Sequence, residues 1–171
     1  MRRKSQVMNN EKGAVLIVAL MMLVVLSFLG ISASTTSQTE NKIAGNERFY
    51  KQDLYFSDSG AMEGAQIMAD FGGDLRTSPF AGQWLHALGS LTEANIRDID
   101  NTWWIGTNSQ VSIVEPDTRF MALSMGIASG SSLSAGSPSV HQYRVYGRRR
   151  PLNRGRFCIV EVGFRKAFGA F

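Results

Sequence analysis

One segment constrains the fold of this 171-residue chain more than any other: residues 14–33 contain no charged residue and no proline. A helix of twenty residues is about 30 Å long, which matches the hydrocarbon core of a bilayer. A soluble protein would need a large domain to cover such a helix on every side, and the rest of this chain is too short to supply one. The segment is therefore predicted to cross a membrane.

Basic residues are distributed unevenly about this segment. Arg2, Arg3, Lys4 and Lys12 precede it, whereas the first basic residue after it is Lys42. The cytoplasmic flanks of membrane helices carry the excess of lysine and arginine. We therefore expect a single-pass protein with a cytoplasmic N-terminus and most of the chain on the opposite side.

A cleaved secretory signal is the first alternative for this segment. The hydrophobic region of such a signal spans about 7 to 15 residues and ends in a small-x-small site. The segment here is longer, and Ile31-Ser32-Ala33 is a poor version of that site. A helical pattern also continues to Asp70 without a proline, although Gly45, Gly60 and Gly64 weaken it. One long helix is thus predicted, and the apolar stripe of its second part consists of Ile43, Tyr50, Leu54, Ala61, Ala65 and Met68.

Short elements follow the helix stop at Asp70-Phe71-Gly72-Gly73. Alternating apolar residues predict strands at 140–147 and 157–168, with Tyr143 and Val145 on one face of the first strand and Tyr146 on the other. A small antiparallel sheet that covers the amphipathic helix gives the α+β class. Further predictions are helical turns at 83–88 and at 91–99 with Thr92 as the N-cap, a strand at 110–115 with Val111 and Ile113 on one face, and a surface loop at 124–139.

Few residues suggest catalytic or metal-binding chemistry. His86 and His141 are far apart in the sequence, no zinc-ligand spacing occurs, and serine and histidine form no nucleophile motif. Cys158 is the one cysteine, so an intramolecular disulfide cannot form. Its apolar neighbours indicate a small buried side chain rather than a reactive thiol. We expect no enzymatic activity, no cofactor and no metal.

Charge is segregated along the chain. Residues 40–120 carry twelve acidic and six basic side chains, whereas residues 144–166 carry eight basic side chains and one acidic. Most of the basic residues fall in the connection between the last two predicted strands. That connection has three interpretations: a DNA contact through phosphates, pairing with an acidic patch of a neighbouring subunit, or a solvated hairpin tip. Its arginines are Arg148, Arg149, Arg150, Arg154 and Arg156.

The N-terminal third of the chain resembles a known family, the PilX-type minor pilins of type IV pili. A short basic leader ends in Lys12-Gly13, and an apolar run opens directly after it. The resemblance extends over about the first 65 residues, with Asp58 at a place where the family more often has glutamate. The residues that carry it are Gly13-Ala14-Val15-Leu16-Ile17-Val18-Ala19-Leu20, Leu29-Gly30-Ile31-Ser32-Ala33, Ile43-Ala44-Gly45-Asn46 and Phe56-Ser57-Asp58-Ser59-Gly60-Ala61.

The resemblance implies cleavage by a prepilin peptidase between Gly13 and Ala14, followed by methylation of the new amine. It also implies partners, namely other pilin subunits and the inner-membrane assembly machinery. The bacterial inner membrane would hold the protein first, and the pilus at the cell surface afterwards. The organisation expected is a leader (1–13), a transmembrane or filament-core helix (14–33), an amphipathic continuation (34–70) and a globular head (71–171).

Val18 departs from the pilin pattern, which usually has glutamate at this fifth mature position. In the major subunit that carboxylate is thought to neutralise the α-amine of a neighbour within the apolar filament core, where an unpaired charge is costly. A subunit without it is best tolerated where nothing lies ahead, so the hypothesis is a role in initiation or at the tip. Two alternatives stay open: a signal-anchored periplasmic protein with no filament role, and a pilus-displayed adhesin or DNA-binding head formed by Trp103–Arg156.

Overall fold

The computed structural model describes residues 7–97, 102–131, 139–151 and 157–168, with side chains from Gly13 onward. Helix α1 (Val7–Asp70) ends one residue before the two glycines Gly72 and Gly73, and a 3-10 turn at Leu75–Thr77 follows, with Asp74 as its N-cap. The elements are α1 (Val7–Asp70), β1 (Leu85–His86), α2 (Glu93–Ile96), β2 (Gln110–Val111), β3 (Thr118–Ile127), β4 (Ser139–Arg149) and β5 (Cys158–Phe168).

The chain divides into two compact units, one that ends at Arg48 and one that begins at Phe49; the second is called the head unit below. In the first unit every residue from Gly13 to Ala44 is exposed. By length and composition the helix Gly13–Asp70 can cross a membrane, and its most apolar 18-residue window has a mean hydropathy of 3.0 with no residue buried. A core helix of a soluble domain would be covered, so the exposed apolar surface fits a membrane anchor.

The α+β class is confirmed, and the described residues of the head unit form a five-stranded sheet. β4 pairs antiparallel with both β3 and β5, as expected for the two C-terminal strands. The sheet is mixed rather than purely antiparallel, because β1 pairs in parallel with β3. β1 also corrects the helical turn predicted at 83–88, whereas α2 confirms the turn at 91–99, where Thr92 and Asn95 form a capping box.

Strand β3 is the main element that the sequence patterns missed. Its residues Phe120, Met121, Ala122 and Leu123 are all buried, because one face of the sheet contacts α1 and the other face is covered by a second apolar cluster. A strand buried on both faces shows a continuous apolar run instead of alternation. The loop predicted at 124–139 is correspondingly shorter, since residues 124–127 belong to β3 and residue 139 begins β4; residues 132–138 lie outside the described part.

Glycines allow α1 to lie very close to the sheet. A β-carbon on Gly60 would lie 2.6 Å from Thr118 Cγ2, and one on Gly64 would lie 2.7 Å from Phe120 Cδ2. From the sheet side, a β-carbon on Gly147 would overlap the carbonyl oxygen of Ser57 and lie 2.6 Å from the amide nitrogen of Ala61. Glycine is therefore required at these contacts by the close approach of helix and strand, and packing explains two of the helix-weakening residues, Gly60 and Gly64.

The buried stripe of α1 within the head unit differs from the predicted one. Ala61 and Met68 are buried as expected, but Tyr50 is 61% exposed, as is Ile43, which precedes the head unit. Polar and small residues occupy the rest of the buried face, because the sheet is too close for large side chains. The buried residues of this face are Asp53, Ser57, Gly60, Ala61, Gly64 and Met68.

Apolar side chains form two clusters, one on each face of the sheet. Tyr143 and Val145 join the cluster against α1, whereas Tyr146 joins the opposite cluster, as the alternation of β4 predicted. The opposite cluster is centred on Trp104, which is fully buried and donates its indole N–H to Ile96 O at 3.0 Å. The head unit thus has a core on both faces of the sheet, and α2 covers part of the second one.

Candidate assembly and interaction sites

The residues expected at the cleavage site lie on an exposed part of α1. Gly13 and Ala14 are exposed, and a β-carbon on Gly13 would meet no heavy atom within 4 Å. Val18 is 53% exposed and lies on a continuous apolar surface with Met21, Met22 and Val25. A neighbouring helix can therefore contact this surface directly, and no carboxylate on it is available to neutralise an amine.

The arginines at the end of β4 are not an exposed patch. Arg148 and Arg149 belong to the strand and are 2% and 7% exposed, so the hairpin-tip interpretation is wrong for both. Their side chains point to opposite faces because they are adjacent in a strand. Arg148 lies over the rings of Trp104 (5.4 Å) and Phe157 (4.6 Å), which places its cation within the second cluster.

Arg149 faces α1 and forms part of a buried polar contact. Its Nε lies 3.5 Å from Asp53 Oδ1, with the two side chains 9% and 4% exposed, and its guanidinium lies 4.2 Å from the ring centre of Phe56. Ser57 Oγ accepts from Arg149 N at 3.1 Å and lies 3.0 Å from Cys158 O, a hydrogen-bond acceptor. This cluster therefore fixes one turn of α1 to both β4 and β5.

The remaining arginines of the predicted patch are only partly described. Arg150 is half-buried, and its backbone N–H donates to Asp117 O at 3.1 Å. Arg154 and Arg156 lie outside the described residues. Tyr143 and Tyr146, which a phosphate-binding surface would need at hand, are 0% and 4% exposed. The described part of this region is thus mainly a packing element of the head unit.

A carboxylate on α1 explains why the predicted strand 110–115 ends early. Glu63 accepts from Ser112 Oγ at 2.5 Å and from the backbone N–H of Ile113 at 3.0 Å. Ser112 N–H still donates to Thr118 O of β3 at 2.9 Å, and after it the bonds to Glu63 hold the backbone against α1, so β2 contains only two residues. Ile113, predicted on the same strand face as Val111, is 88% exposed and Val114 is 65% exposed, whereas Val111 is half-buried.

Lys166 on β5 caps the C-terminal end of α1. Its Nζ donates to Met68 O at 2.7 Å and also contacts the carbonyl oxygens of Ala69 and Phe71. The last carbonyl groups of a helix lack intrahelical partners and carry partial negative charge, so a cation there is stabilising. The Lys166 ammonium is thereby directed at the helix end, whereas the neighbouring Arg165 is exposed.

A groove of about 800 Å³ crosses the sheet face opposite α1. Its floor is apolar, and two exposed ion pairs stand at its rim: Arg97–Glu93 at 2.9 Å and Arg144–Glu161 at 3.4 Å. Local sequence patterns do not predict this groove, because its residues come from segments far apart in the chain. The floor and the remaining lining consist of Leu91, Ile96, Leu123, Met125, Tyr146, Phe157 and Ile159.

The single thiol and the two histidines contact other parts of the fold in ways that indicate a packing role. Burial raises the pKa of the Cys158 thiol, which suits a packed side chain better than a nucleophile. His86 Nε2 lies 2.8 Å from Asn108 O, and the ring of His141 packs edge-on against Phe168 at 5.1 Å. In the described ranges, no three His, Cys, Asp or Glu side chains are close enough together to hold a metal ion.

Because of Tyr143, the stability of the head unit is expected to fall at alkaline pH. Burial raises the pKa of Tyr143 to about 12, whereas tyrosine in an unfolded chain titrates near pH 10. Between these values the unfolded chain loses a proton that the folded chain keeps, so the free energy of unfolding falls as pH rises, by about 1–2 kcal/mol. Urea unfolding of the wild type and of Tyr143→Phe at pH 8, 10 and 11 measures this term. The variant should lose less stability over that range, and an equal loss in both proteins would contradict the prediction.

An exposed apolar helix, long enough to cross a membrane, whose C-terminal part packs on a small mixed sheet defines a class, the α+β proteins of pilin-like layout. Comparison with protein families narrows this class: residues 12–60 match the PilX N-terminal family. The match includes Gly13, Ala14 and Val18 and confirms the resemblance to PilX-type pilins over those residues, and it implies a role related to type IV pili. Comparisons with curated proteins and with solved structures each gave no significant match.

Proposed function

We propose that the protein is a minor subunit of a type IV pilus, without enzymatic activity, that takes part in pilus assembly at initiation or at the tip. The observation that carries this proposal is the uncovered helix whose apolar segment begins directly after Gly13 and whose C-terminal part belongs to a folded head unit. Such a helix can reside in the membrane and later pack against the helices of other pilins in a filament core. The family match over residues 12–60 supports the same role.

Deletion of the gene in the source organism tests the assembly role. The expected result is a marked reduction in the number of surface pili seen by electron microscopy, while the major subunit remains in the inner membrane. Complementation with the wild-type gene should restore piliation. A normal number of pili in the deletion strain would contradict a role in assembly.

Val18 supports the tip position within this proposal. Because the subunit has no carboxylate there, it cannot neutralise the amine of a subunit ahead of it in an apolar core. Val18→Glu is expected to allow incorporation along the shaft, so immunogold labelling should move from pilus ends to the whole filament. Val18→Gln is the matched control, since it has a similar size without the charge and should leave the label at the ends. Wild-type label distributed along the shaft would contradict the tip position.

DNA binding is a weaker candidate for the head unit. A phosphate contact requires accessible guanidinium groups, and Arg148 and Arg149 are buried among aromatic side chains and Asp53. Burial also disfavours pairing of Arg148 and Arg149 with an acidic patch of another subunit. Contacts with other subunits are better supported at surfaces that the fold leaves exposed.

A further inference from the structure

One end of the sheet in the head unit contains a buried histidine. His141 is the third residue of β4, and it is 5% exposed. It alternates along the strand with Tyr143 and Val145, so its ring points to the face of the sheet that packs on α1. The ring lies edge-on to Phe168 of β5, with the two ring centres 5.1 Å apart. His141 is thus enclosed between the end of β5 and the end of α1.

The hydrogen bonding of His141 favours the neutral ring. Its Nδ1 is buried, and among the described residues it has no hydrogen-bond partner. A neutral imidazole has one nitrogen without a proton, so Nδ1 without a partner can be an unused acceptor. In the imidazolium both nitrogens carry protons, and Nδ1 becomes a charged donor that is buried without an acceptor. Leaving such a donor unsatisfied is costly, so protonation opposes the closed arrangement.

The charged groups around the ring add to this preference. Lys166 is the direct cross-strand partner of His141, so both side chains lie on the face towards α1, where Lys166 caps the helix end. Asp74 and Arg76, an ion pair of 2.7 Å, lie after the helix. Burial is the main cause that lowers the pKa of His141; Arg76 lowers it further, whereas Asp74 raises it. Two cations and one anion already surround the ring, and protonation would add a third cation.

The other titratable groups near this end do not offset that charge. On β4, Tyr143 stays neutral at acidic pH, because burial raises its pKa to about 12. On α1, Asp70 is exposed and is hydrogen-bonded within its own helix. On β3, the residue paired with His141 is Ile127, which carries no charge. Among the described residues of these elements, the anion that acts on the ring is therefore Asp74, which is already in an ion pair.

We propose that His141 makes this end of the head unit an acid-sensitive latch: protonation of its ring opens the paired ends of β4 and β5 and releases Lys166 from the end of α1. The opening can stay local, because only two residue pairs, Ser139↔Phe168 and Val140↔Ala167, lie between His141 and the end of the β4–β5 pairing. The remaining pairs are held by the apolar clusters on both faces of the sheet. The proposal concerns the head unit and does not depend on the filament role.

The direction of the pH effect follows from the two states of the latch. In the opened end the ring of His141 is in water and titrates near pH 6.5, whereas in the closed end its pKa is lower. As pH falls below 6.5, the opened state binds a proton that the closed state does not bind, so the latch is closed at pH 7.5 and weakens towards pH 5. The equilibrium constant for opening rises by at most about thirtyfold over this range, the limit for a ring that stays neutral in the closed end.

Hydrogen exchange measured by mass spectrometry tests the proposal with the full chain in detergent micelles. After correction for the intrinsic exchange rate at each pH, peptides from 139–143 and 164–168 should exchange about tenfold faster at pH 5 than at pH 7.5. Peptides from 118–123 of β3 should exchange equally at both. Equal protection of the latch peptides at the two pH values, or an acid response spread over the whole head unit, would overturn the proposal.

Variants of the two histidines show whether the response comes from His141. His141→Phe and His141→Gln remove the titrating ring and should abolish the acid response while the latch peptides stay protected at pH 7.5. His86→Gln is the matched control, since His86 is also largely buried but lies beside Asn108 O, away from this end. Its acid response should equal that of the wild type. A response that persists without His141, or disappears without His86, would overturn the proposal.

Two variants of the nearby ion pair test the role of charge without changing the histidine. Arg76 is exposed, so Arg76→Gln should fold, and it leaves the Asp74 carboxylate free to stabilise the imidazolium. Its acid response should be smaller than that of the wild type. Asp74→Asn keeps a side chain suited to the N-cap but leaves the Arg76 cation unopposed, so its response should be larger. Equal responses in the wild type and both variants would overturn the proposal that charge on His141 opens this end.

Discussion

Replacing Gly147 with alanine is expected to lower the free energy of unfolding of the head unit by about 3 kcal/mol or more. Gly147 lies near the C-terminal end of β4, paired with Phe120 of β3 and Val160 of β5. A methyl group there would overlap the backbone of α1 at Ser57 and Ala61. Backbone atoms of a helix cannot move aside as a flexible side chain can, so α1 must shift away from the sheet. Urea unfolding, followed by the fluorescence of the buried Trp84 and Trp104, measures the loss.

Gly163→Ala is the matched control for this substitution. Gly163 is also a strand glycine, but its β-carbon position is open to solvent. Its replacement should change the free energy of unfolding by no more than about 0.5 kcal/mol. If Gly147→Ala were as well tolerated as Gly163→Ala, the close approach of α1 and β4 would be contradicted.

Replacing Asp53 with alanine is the second substitution with a large expected effect, about 3 kcal/mol of destabilisation. Asp53 and Arg149 lie 3.5 Å apart with both side chains almost fully buried. Loss of the carboxylate leaves the Arg149 guanidinium buried against Phe56 without its opposite charge. The cost arises from an uncompensated buried cation, and the same urea unfolding experiment detects it.

A double variant distinguishes this electrostatic cost from lost packing. Arg149→Met removes the cation and keeps much of the apolar stem, so Asp53→Ala should cost much less in that background. The two substitutions together are therefore expected to be less harmful than the sum of the single ones. Additive effects of the two substitutions would contradict a coupled ion pair.

The sequence predicted the elements with strong local periodicity. Helix α1 was predicted from the apolar residues 14–33 and the proline-free continuation to Asp70. Strand β4 was predicted from the alternation around Tyr143 and Tyr146, and the N-cap of α2 from Thr92. Each of these signals depends on residues near one another in the chain, which makes it visible without tertiary information. The match to the PilX N-terminal family likewise covers one continuous segment, residues 12–60.

The features that the sequence patterns did not predict depend on contacts between residues far apart in the chain. The uninterrupted run Phe120-Met121-Ala122-Leu123 was the available signal for β3, but a short apolar run does not distinguish a strand from a helix. The early end of β2 depends on Glu63, about fifty residues away in the chain. Arg148 and Arg149 appeared as a charged tip because neither their aromatic neighbours nor Asp53 is nearby in sequence. Tertiary partners thus overrode local composition at each of these positions.

The mature N-terminus of the membrane-extracted protein tests the central claim most directly. Expression in the source organism, extraction with detergent and mass spectrometry of the N-terminal peptide identify the first residue. The proposed pilin role predicts a chain that begins at Ala14 with a methylated amine, and a Gly13→Leu variant that keeps its leader. A wild-type chain that retains Met1 in the membrane would contradict the pilin role and would favour a signal-anchored protein.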